Sequence, residues 1–290
     1  MQDPPSPGAA LPLFQAHPRA FETNRYVYPV LSRRAGGISI GVNLNLDKVC
    51  NFDCVYCQVD RLQPGPREPI ELARLTAELD AAAALVRSGA IYAHPQFHQT
   101  PPALRRLSDI AFSGDGEPTS CRQFDAVVAA AAEVRRRHAL DDVKLVLITN
   151  ASLLDRPWVR RGLEILDANH GEIWAKLDAG TEAYYRRVAR SRIPLHRILG
   201  NLLLAARQRP IVIQSLFLRI RGEPPPAAEQ EAYCRRLAEI IAAGGRIKLV
   251  QVHTIARPPA ETWITPLVPA EVEAIAQLVR ARTGLAAAAY

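Results

Sequence analysis

Six short apolar, β-branched runs recur along the chain with helical patterns between them, and this alternation constrains the fold more than any other feature. The runs lie at 38–44 (ISIGVNL), 109–113 (DIAFS), 143–149 (VKLVLIT), 172–178, 210–218 and 246–254. Helical patterns fall at about 71–88, 121–139, 156–167, 194–207, 227–243 and 269–283. Strands that are apolar almost throughout are buried on both faces, which is the situation of a parallel sheet covered by helices. The pattern predicts an α/β fold, an incomplete TIM-like (β/α)6 barrel with parallel strands; an open doubly wound sheet would satisfy the same alternation. Pro69 and Pro157 stand near helix starts, and Gly244-Gly245 closes a helix ahead of the sixth strand, as a left-handed cap does. In either architecture ligands collect at the C-terminal ends of the strands.

Two segments fall outside the alternation. Residues 1–25 begin rich in Pro, Ala and Gly without a period and read as an extended N-terminal arm, leaving 26–290 as the barrel domain with its C-terminal helix. Residues 89–108 (GAIYAHPQFHQTPPALRRLS) read as a long ordered loop. His94 and His98 stand at i, i+4 within it, but Pro95 between them opposes a helix, so surface histidines are expected there and not metal ligands.

The N-terminus carries acid and prolines where a signal peptide would need basic and then apolar residues, and no run approaches the roughly 18 apolar residues of a membrane span. A cytoplasmic protein with no membrane partner is expected. The net charge of +7 comes mainly from arginine, since lysine occurs only at Lys48, Lys144, Lys176 and Lys248. No five basic residues run together, so the charge reads as solvated helix faces, with an anionic partner left open.

Three of the five cysteines crowd into Cys50-Asn51-Phe52-Asp53-Cys54-Val55-Tyr56-Cys57, directly after the first predicted strand. An odd count with such spacing is a poor disulfide framework; metal ligation explains it better. Iron–sulfur cubanes normally take four cysteines, so a three-cysteine loop leaves one iron open to another ligand. Zinc would want a fourth protein ligand, which Cys121 or Cys234 could supply, but neither belongs to a second paired motif.

With Tyr56 as the aromatic, C-x3-C-x-aromatic-C resembles the signature of the radical S-adenosylmethionine superfamily. The resemblance implies a [4Fe–4S] cluster on Cys50, Cys54 and Cys57, with Tyr56 beside it. It also implies that S-adenosyl-L-methionine chelates the open iron, and that reductive cleavage yields a 5′-deoxyadenosyl radical that abstracts hydrogen from a substrate. At the end of the second strand, Ser113-Gly114-Asp115-Gly116-Glu117-Pro118-Thr119 is similar to the superfamily's GGEP motif, with Asp115 where glycine is usual. Gly114, Asp115, Gly116, Glu117 and Pro118 are therefore expected to meet the cofactor's methionine end, the glycines by close approach or positive φ and Glu117 by pairing with the ammonium.

Later strands end in Thr149-Asn150, Lys176-x-Asp178, Gln214-Ser215 and His253. Asn150, Asp178 and Gln214 are the candidates for hydrogen bonds to ribose, carboxylate or adenine; each could instead cap a turn. Lys176 lies in an otherwise apolar strand, where it must be paired, with Asp178 or Glu117, or act as a base or Schiff-base amine. Lys248 raises the same question more weakly.

Five stretches between about 26 and 261 resemble the wyosine-type radical proteins related to tRNA 4-demethylwyosine synthase: 28–34 (YPVLSRR), 54–58 (CVYCQ), 112–119 (FSGDGEPT), 176–180 (KLDAG) and 256–261 (ARPPAE). That family condenses pyruvate with a tRNA base using a second cluster on upstream cysteines. No cysteine precedes Cys50 here. The resemblance implies a one-electron donor such as flavodoxin or ferredoxin, and tRNA as one substrate to test. A non-catalytic iron–sulfur electron carrier or sensor, and a zinc-stabilised nucleic-acid-binding protein, are the readings from other classes.

Overall fold

The computed structural model describes residues 21–257, 259 and 261–290. Residues 1–20 of the expected arm lie outside them, as do Pro258 and Ala260 of the 256–261 stretch. Phe21 is buried against His94 and Phe97.

The first strand pairing is antiparallel, which corrects the all-parallel expectation. β1 (Val27–Ser32) turns back through residues 33–36 into β2 (Gly37–Val42). Pro29 has no N–H to give and so reads against a strand, but β1 is the edge of the sheet, where only one side needs partners. The buried Glu78 fixes that edge: its carboxylate accepts the backbone N–H groups of Arg25 at 2.9 Å, Tyr26 at 2.8 Å and Val27 at 3.2 Å.

From β2 onward the alternation holds. In order come α1 (Leu72–Arg87), β3 (Leu107–Phe112), α2 (Phe124–Arg137), β4 (Lys144–Thr149), α3 (Pro157–Asp167), β5 (Gly171–Lys176), α4 (Glu182–Ala189), α5 (Leu195–Gln208) and β6 (Ile211–Leu216). They are followed by β7 (Leu218–Ile220), α6 (Ala227–Ala242), β8 (Ile247–His253), β9 (Ile264–Pro266), α7 (Pro269–Thr283) and β10 (Ala287–Ala289). Pro157 and Pro269 occupy helix starts, and Gly244 and Gly284 end α6 and α7 at φ 85° and 71°. The main sheet has the order β1-β2-β3-β4-β5-β6-β8-β10, parallel from β2 to β10, while β7 and β9 form a separate antiparallel pair.

Residues of strands β1 to β6 and β8, with Tyr290 after β10, line one cavity of about 300 Å³. A flat doubly wound sheet would bury that face under helices; here the sheet curls around a lumen and stays open between β1 and β10, so the partial barrel is the fold. The segment 89–108 contains two single 3-10 turns and the start of β3. Half-buried His94 packs on Phe21 and Phe97, and exposed His98 contacts the Pro95 carbonyl oxygen through Nδ1 at 2.6 Å. Among the described residues no helix is long and apolar enough to cross a membrane.

Candidate active site

Cys50, Cys54 and Cys57 all lie on the wall of the cavity, at the C-terminal end of β2. Their loop has no regular structure of its own and is held from two sides. The backbone N–H groups of Asp53 and Val55 donate to the Ala189 and Val188 carbonyls at the end of α4, at 3.1 and 2.9 Å. On the other side, Asn51 donates through Nδ2 to Ser152 Oγ at 2.7 Å and accepts from Asn150 Nδ2 at 2.8 Å. Arg61 Nη2 donates to Cys57 Sγ at 3.4 Å.

The turn after β3 meets the same loop. Gly114 and Gly116 both have ordinary negative φ, so close approach, not positive φ, requires them. A Cβ on Gly114 would stand 2.3 Å from Asn43 Oδ1, and one on Gly116 2.3 Å from the Val49 carbonyl oxygen. The glycines thus let the two motifs touch. Asp115 accepts from Asn43 Nδ2 at 2.6 Å while its own N–H donates to Asn43 Oδ1 at 3.1 Å.

Glu117 is buried and lines the cavity with both oxygens engaged. Oε1 accepts from Thr119 N at 3.2 Å and from the hydroxyls of Thr119 and Thr149 at 2.5 Å each; Oε2 accepts from Asn150 N at 2.7 Å. The carboxylate therefore ties the end of β3 to the end of β4, whatever else it does. Pro118 starts a 3-10 turn behind it and does not reach the cavity wall.

The remaining candidates converge on the same space. Asn150 accepts from Ser152 N at 3.1 Å and Ser152 Oγ at 2.6 Å, and Gln214 donates to Gln251 Oε1 at 3.2 Å. Tyr56 donates its hydroxyl to Asp178, whose other oxygen accepts from Leu216 N at 2.8 Å. Burial first, then each other's charge and hydrogen bond, push the Tyr56 hydroxyl well up; burial likewise raises Asp178. The ion pair expected of Lys176 is not formed: its ammonium sits 5.8 Å from the centre of the Tyr56 ring, an attractive contact that leaves the cation facing the cavity. Lys248 is elsewhere, at the opposite end of the barrel, paired with Glu172 at 2.6 Å.

The donor set does not make a site for a single ion. Among the described residues no three His, Cys, Asp or Glu stand close enough to share a single metal ion, whereas a tetrahedral zinc needs thiolates about 4 Å apart. Neither Cys121 nor Cys234 reaches the cavity, so no fourth thiol completes the set. Burial pushes the Cys54 thiol up to about 12, with Lys176 opposing, and raises Cys50. Thiols so placed ionise only against a compensating positive charge, as metal loading supplies.

Sequence reasoning missed Asn51, which carries no signal beyond lying between two cysteines, and α4, which falls in the span left unassigned between the strand at 172–178 and the helix at 194–207. It also missed Arg34, Asp109 and Tyr290, which line the inner part of the cavity.

No family model matches the chain. It is 29% identical over 182 residues to a UPF0026 protein of Methanocaldococcus jannaschii, covering 60% of this chain and 47% of that one. Over 162 residues it is 26% identical to a GTPase Obg of Brachyspira hyodysenteriae, covering 55% of this chain and 20% of the relative. The chain thus spans at most about half the length of these relatives. The crystal structure of a radical SAM methyltransferase from Sphaerobacter thermophilus superposes on 90% of the chain with TM-score 0.60 at 16% identity, covering 68% of that protein. The chain shares the partial-barrel fold of that methyltransferase. A structure of an archaeal TYW1 also overlaps it, at TM-score 0.44 and 14% identity over 84% of this chain and 72% of that one. Within this partial barrel, both motifs singled out in the sequence stand at the mouth.

Proposed function

We propose that this protein is a radical S-adenosylmethionine enzyme whose substrate enters the barrel cavity. The observation that carries the reading is the convergence of Cys50, Cys54 and Cys57 with Gly114, Gly116 and Glu117 on one cavity at the C-terminal strand ends.

Cys50, Cys54 and Cys57 would hold a [4Fe–4S] cluster, and the 114–117 turn the methionine end of S-adenosylmethionine. When bound, the pair supplies reductive cleavage of the sulfonium to a 5′-deoxyadenosyl radical. The chain's own part is binding, orientation and exclusion of water. Asn51 and α4 hold the cysteine loop from two sides, which orients its thiols towards the cavity. Asn150, Gln214 and the Tyr56–Asp178 pair present polar groups to the cavity between apolar neighbours. Lys176 supplies an ammonium that has no ion-pair partner among the described residues, within reach of that space, and is our candidate catalytic residue. A one-electron donor of the flavodoxin or ferredoxin kind would reduce the cluster from outside.

The test is formation of 5′-deoxyadenosine, followed by mass spectrometry, from anaerobically reconstituted protein given S-adenosylmethionine and dithionite. Production by the wild type and none by Cys54→Ala supports the reading. An intact, reducible cluster that cleaves no cofactor, with or without candidate substrates such as bulk tRNA, would point to an electron carrier instead.

A further inference from the structure

We propose that the inner part of the cavity is a subsite for the carboxylate or phosphate group of a small molecule, centred on the Arg34 guanidinium. Calling that anion the substrate rests on the enzyme reading above; the subsite itself does not.

Arg34 lies in the turn between β1 and β2, a place where side chains ordinarily point to solvent. Here the turn folds inward: Ala35 packs against the cluster of Ala111, Val146, Trp174 and Val212, and Arg34 lines the cavity with its Cζ 5.9 Å from the centre of the Trp174 ring. The turn is held there by Arg106 Nε, which donates to the Gly36 carbonyl oxygen at 2.9 Å. Trp174 precedes Lys176 by two residues on the same face of β5, so the Trp174 level is about 7 Å deeper than Lys176.

Among the described residues no group is bonded to this guanidinium, and Asp109 acts on it only as a charge at a distance. Among the described residues Arg34 makes no hydrogen bond and no ion pair, only the ring contact. The four carboxylates on the wall are each engaged with other groups: Asp109 with the Ser39 hydroxyl, Asp115 with Asn43, Glu117 with its four donors, and Asp178 with Tyr56 and Leu216 N. Burial, with Arg33 and Arg257 adding like charge, lowers Arg34 to about 10, so it stays protonated at neutral pH in a setting that penalises its charge. Half-buried His253 faces the same space with no hydrogen-bond partner on Nδ1, and burial holds the ring neutral. A planar five-donor fork without an anion, beside a neutral imidazole nitrogen and below a free ammonium, is a receptor for a carboxylate or phosphate. Its position inside the barrel restricts it to small molecules.

The experiment is equilibrium dialysis of the full chain as isolated against radiolabelled acetate and radiolabelled inorganic phosphate at neutral pH and low salt. We expect one anion to bind 1:1, which also tells carboxylate from phosphate. Affinity should fall at least about tenfold in Arg34→Gln and less in Arg34→Lys, which keeps the charge but loses the fork. It should stay unchanged in the exposed control Arg160→Gln. Asp109→Asn removes the carboxylate whose charge acts on Arg34 and should tighten binding, so the proposal stays testable even where Arg34→Gln fails to fold. Equal saturable binding by Arg34→Gln, or no 1:1 binding of either anion at concentrations on the order of 10 mM, overturns it. Anion binding retained in protein that forms no 5′-deoxyadenosine would leave the subsite standing and remove the enzyme reading.

Discussion

At the scale of single residues, the site's polar groups mostly bond to one another before they can meet any ligand. Glu117 is the clearest instance. Glu117→Ala leaves four donors without an acceptor and should cost roughly 2–4 kcal/mol in denaturant unfolding, so its cofactor affinity cannot be read apart from its stability. Glu117→Gln keeps the shape and one carbonyl acceptor; it should unfold within about 1.5 kcal/mol of wild type while binding S-adenosylmethionine at least about tenfold more weakly in dialysis. Wild-type affinity in that variant would confine Glu117 to its structural role. Asp109 gives a pH signature. Burial raises its pKa from 3.8 to about 6 despite the Ser39 hydroxyl, so its protonated form favours the fold below about pH 4 and that contribution is lost as pH rises through about 6. Asp109→Asn should therefore unfold near wild type at pH 4 and be more stable above pH 7, by at most about 3 kcal/mol. A stability difference independent of pH would mean that Asp109 does not titrate in this range.

At the scale of elements, the cysteine loop depends on a helix that contributes no cysteine to it. α4 is capped by Thr181, whose Oγ1 accepts from Tyr184 N at 3.2 Å and donates to Glu229 Oε2 at 2.6 Å. Its last carbonyls anchor Asp53 and Val55. Thr181→Ala should cost about 1–2 kcal/mol and raise the rate at which iron is lost to a chelator, although the residue touches no cysteine. Unchanged iron release would show that Asn51 alone holds the loop. The Gly116 contact works from the other side: Gly116→Ala forces Val49 and Asn45 apart and should cost about 1–3 kcal/mol together with iron content after reconstitution.

For the molecule as a whole, the floor of the barrel separates from its mouth. Glu172 on β5 accepts from Lys144 on β4 at 2.8 Å, from Lys248 on β8 at 2.6 Å and from Trp174 Nε1 at 3.0 Å, closing the N-terminal end. Burial alone would raise its pKa, but these donors outweigh burial and hold it at about 2. Its stabilisation is present above pH 4.5 and lost as pH falls through about 2. Glu172→Gln should lose on the order of 2 kcal/mol at neutral pH and show a flatter acid limb between about pH 4.5 and 2, with the mouth's iron binding unaffected. Loss of cluster along with stability would show that floor and mouth are coupled.

The six parallel strands and their helices were legible in the sequence because apolar runs of strand length alternating with helical periods are a local signal, and so were the three cysteines and the 114–118 turn, which are contiguous. The edge strand β1 was hidden by Pro29, which only an edge position tolerates, and β10 by a run of alanines without strand character. Periodicity could not tell a partial barrel from a flat sheet, since curvature is set by packing between distant strands. Tertiary structure alone decided that Gly114 and Gly116 serve contact between motifs some 60 residues apart. It alone decided that Glu117 is a bolt between strands, that Lys176 pairs with neither Asp178 nor Glu117, and that the arginine of a hairpin turn points inward. These outcomes depend on which groups the folded chain leaves unpaired in a space shielded from water, a property of three-dimensional neighbours that no local pattern of residues encodes.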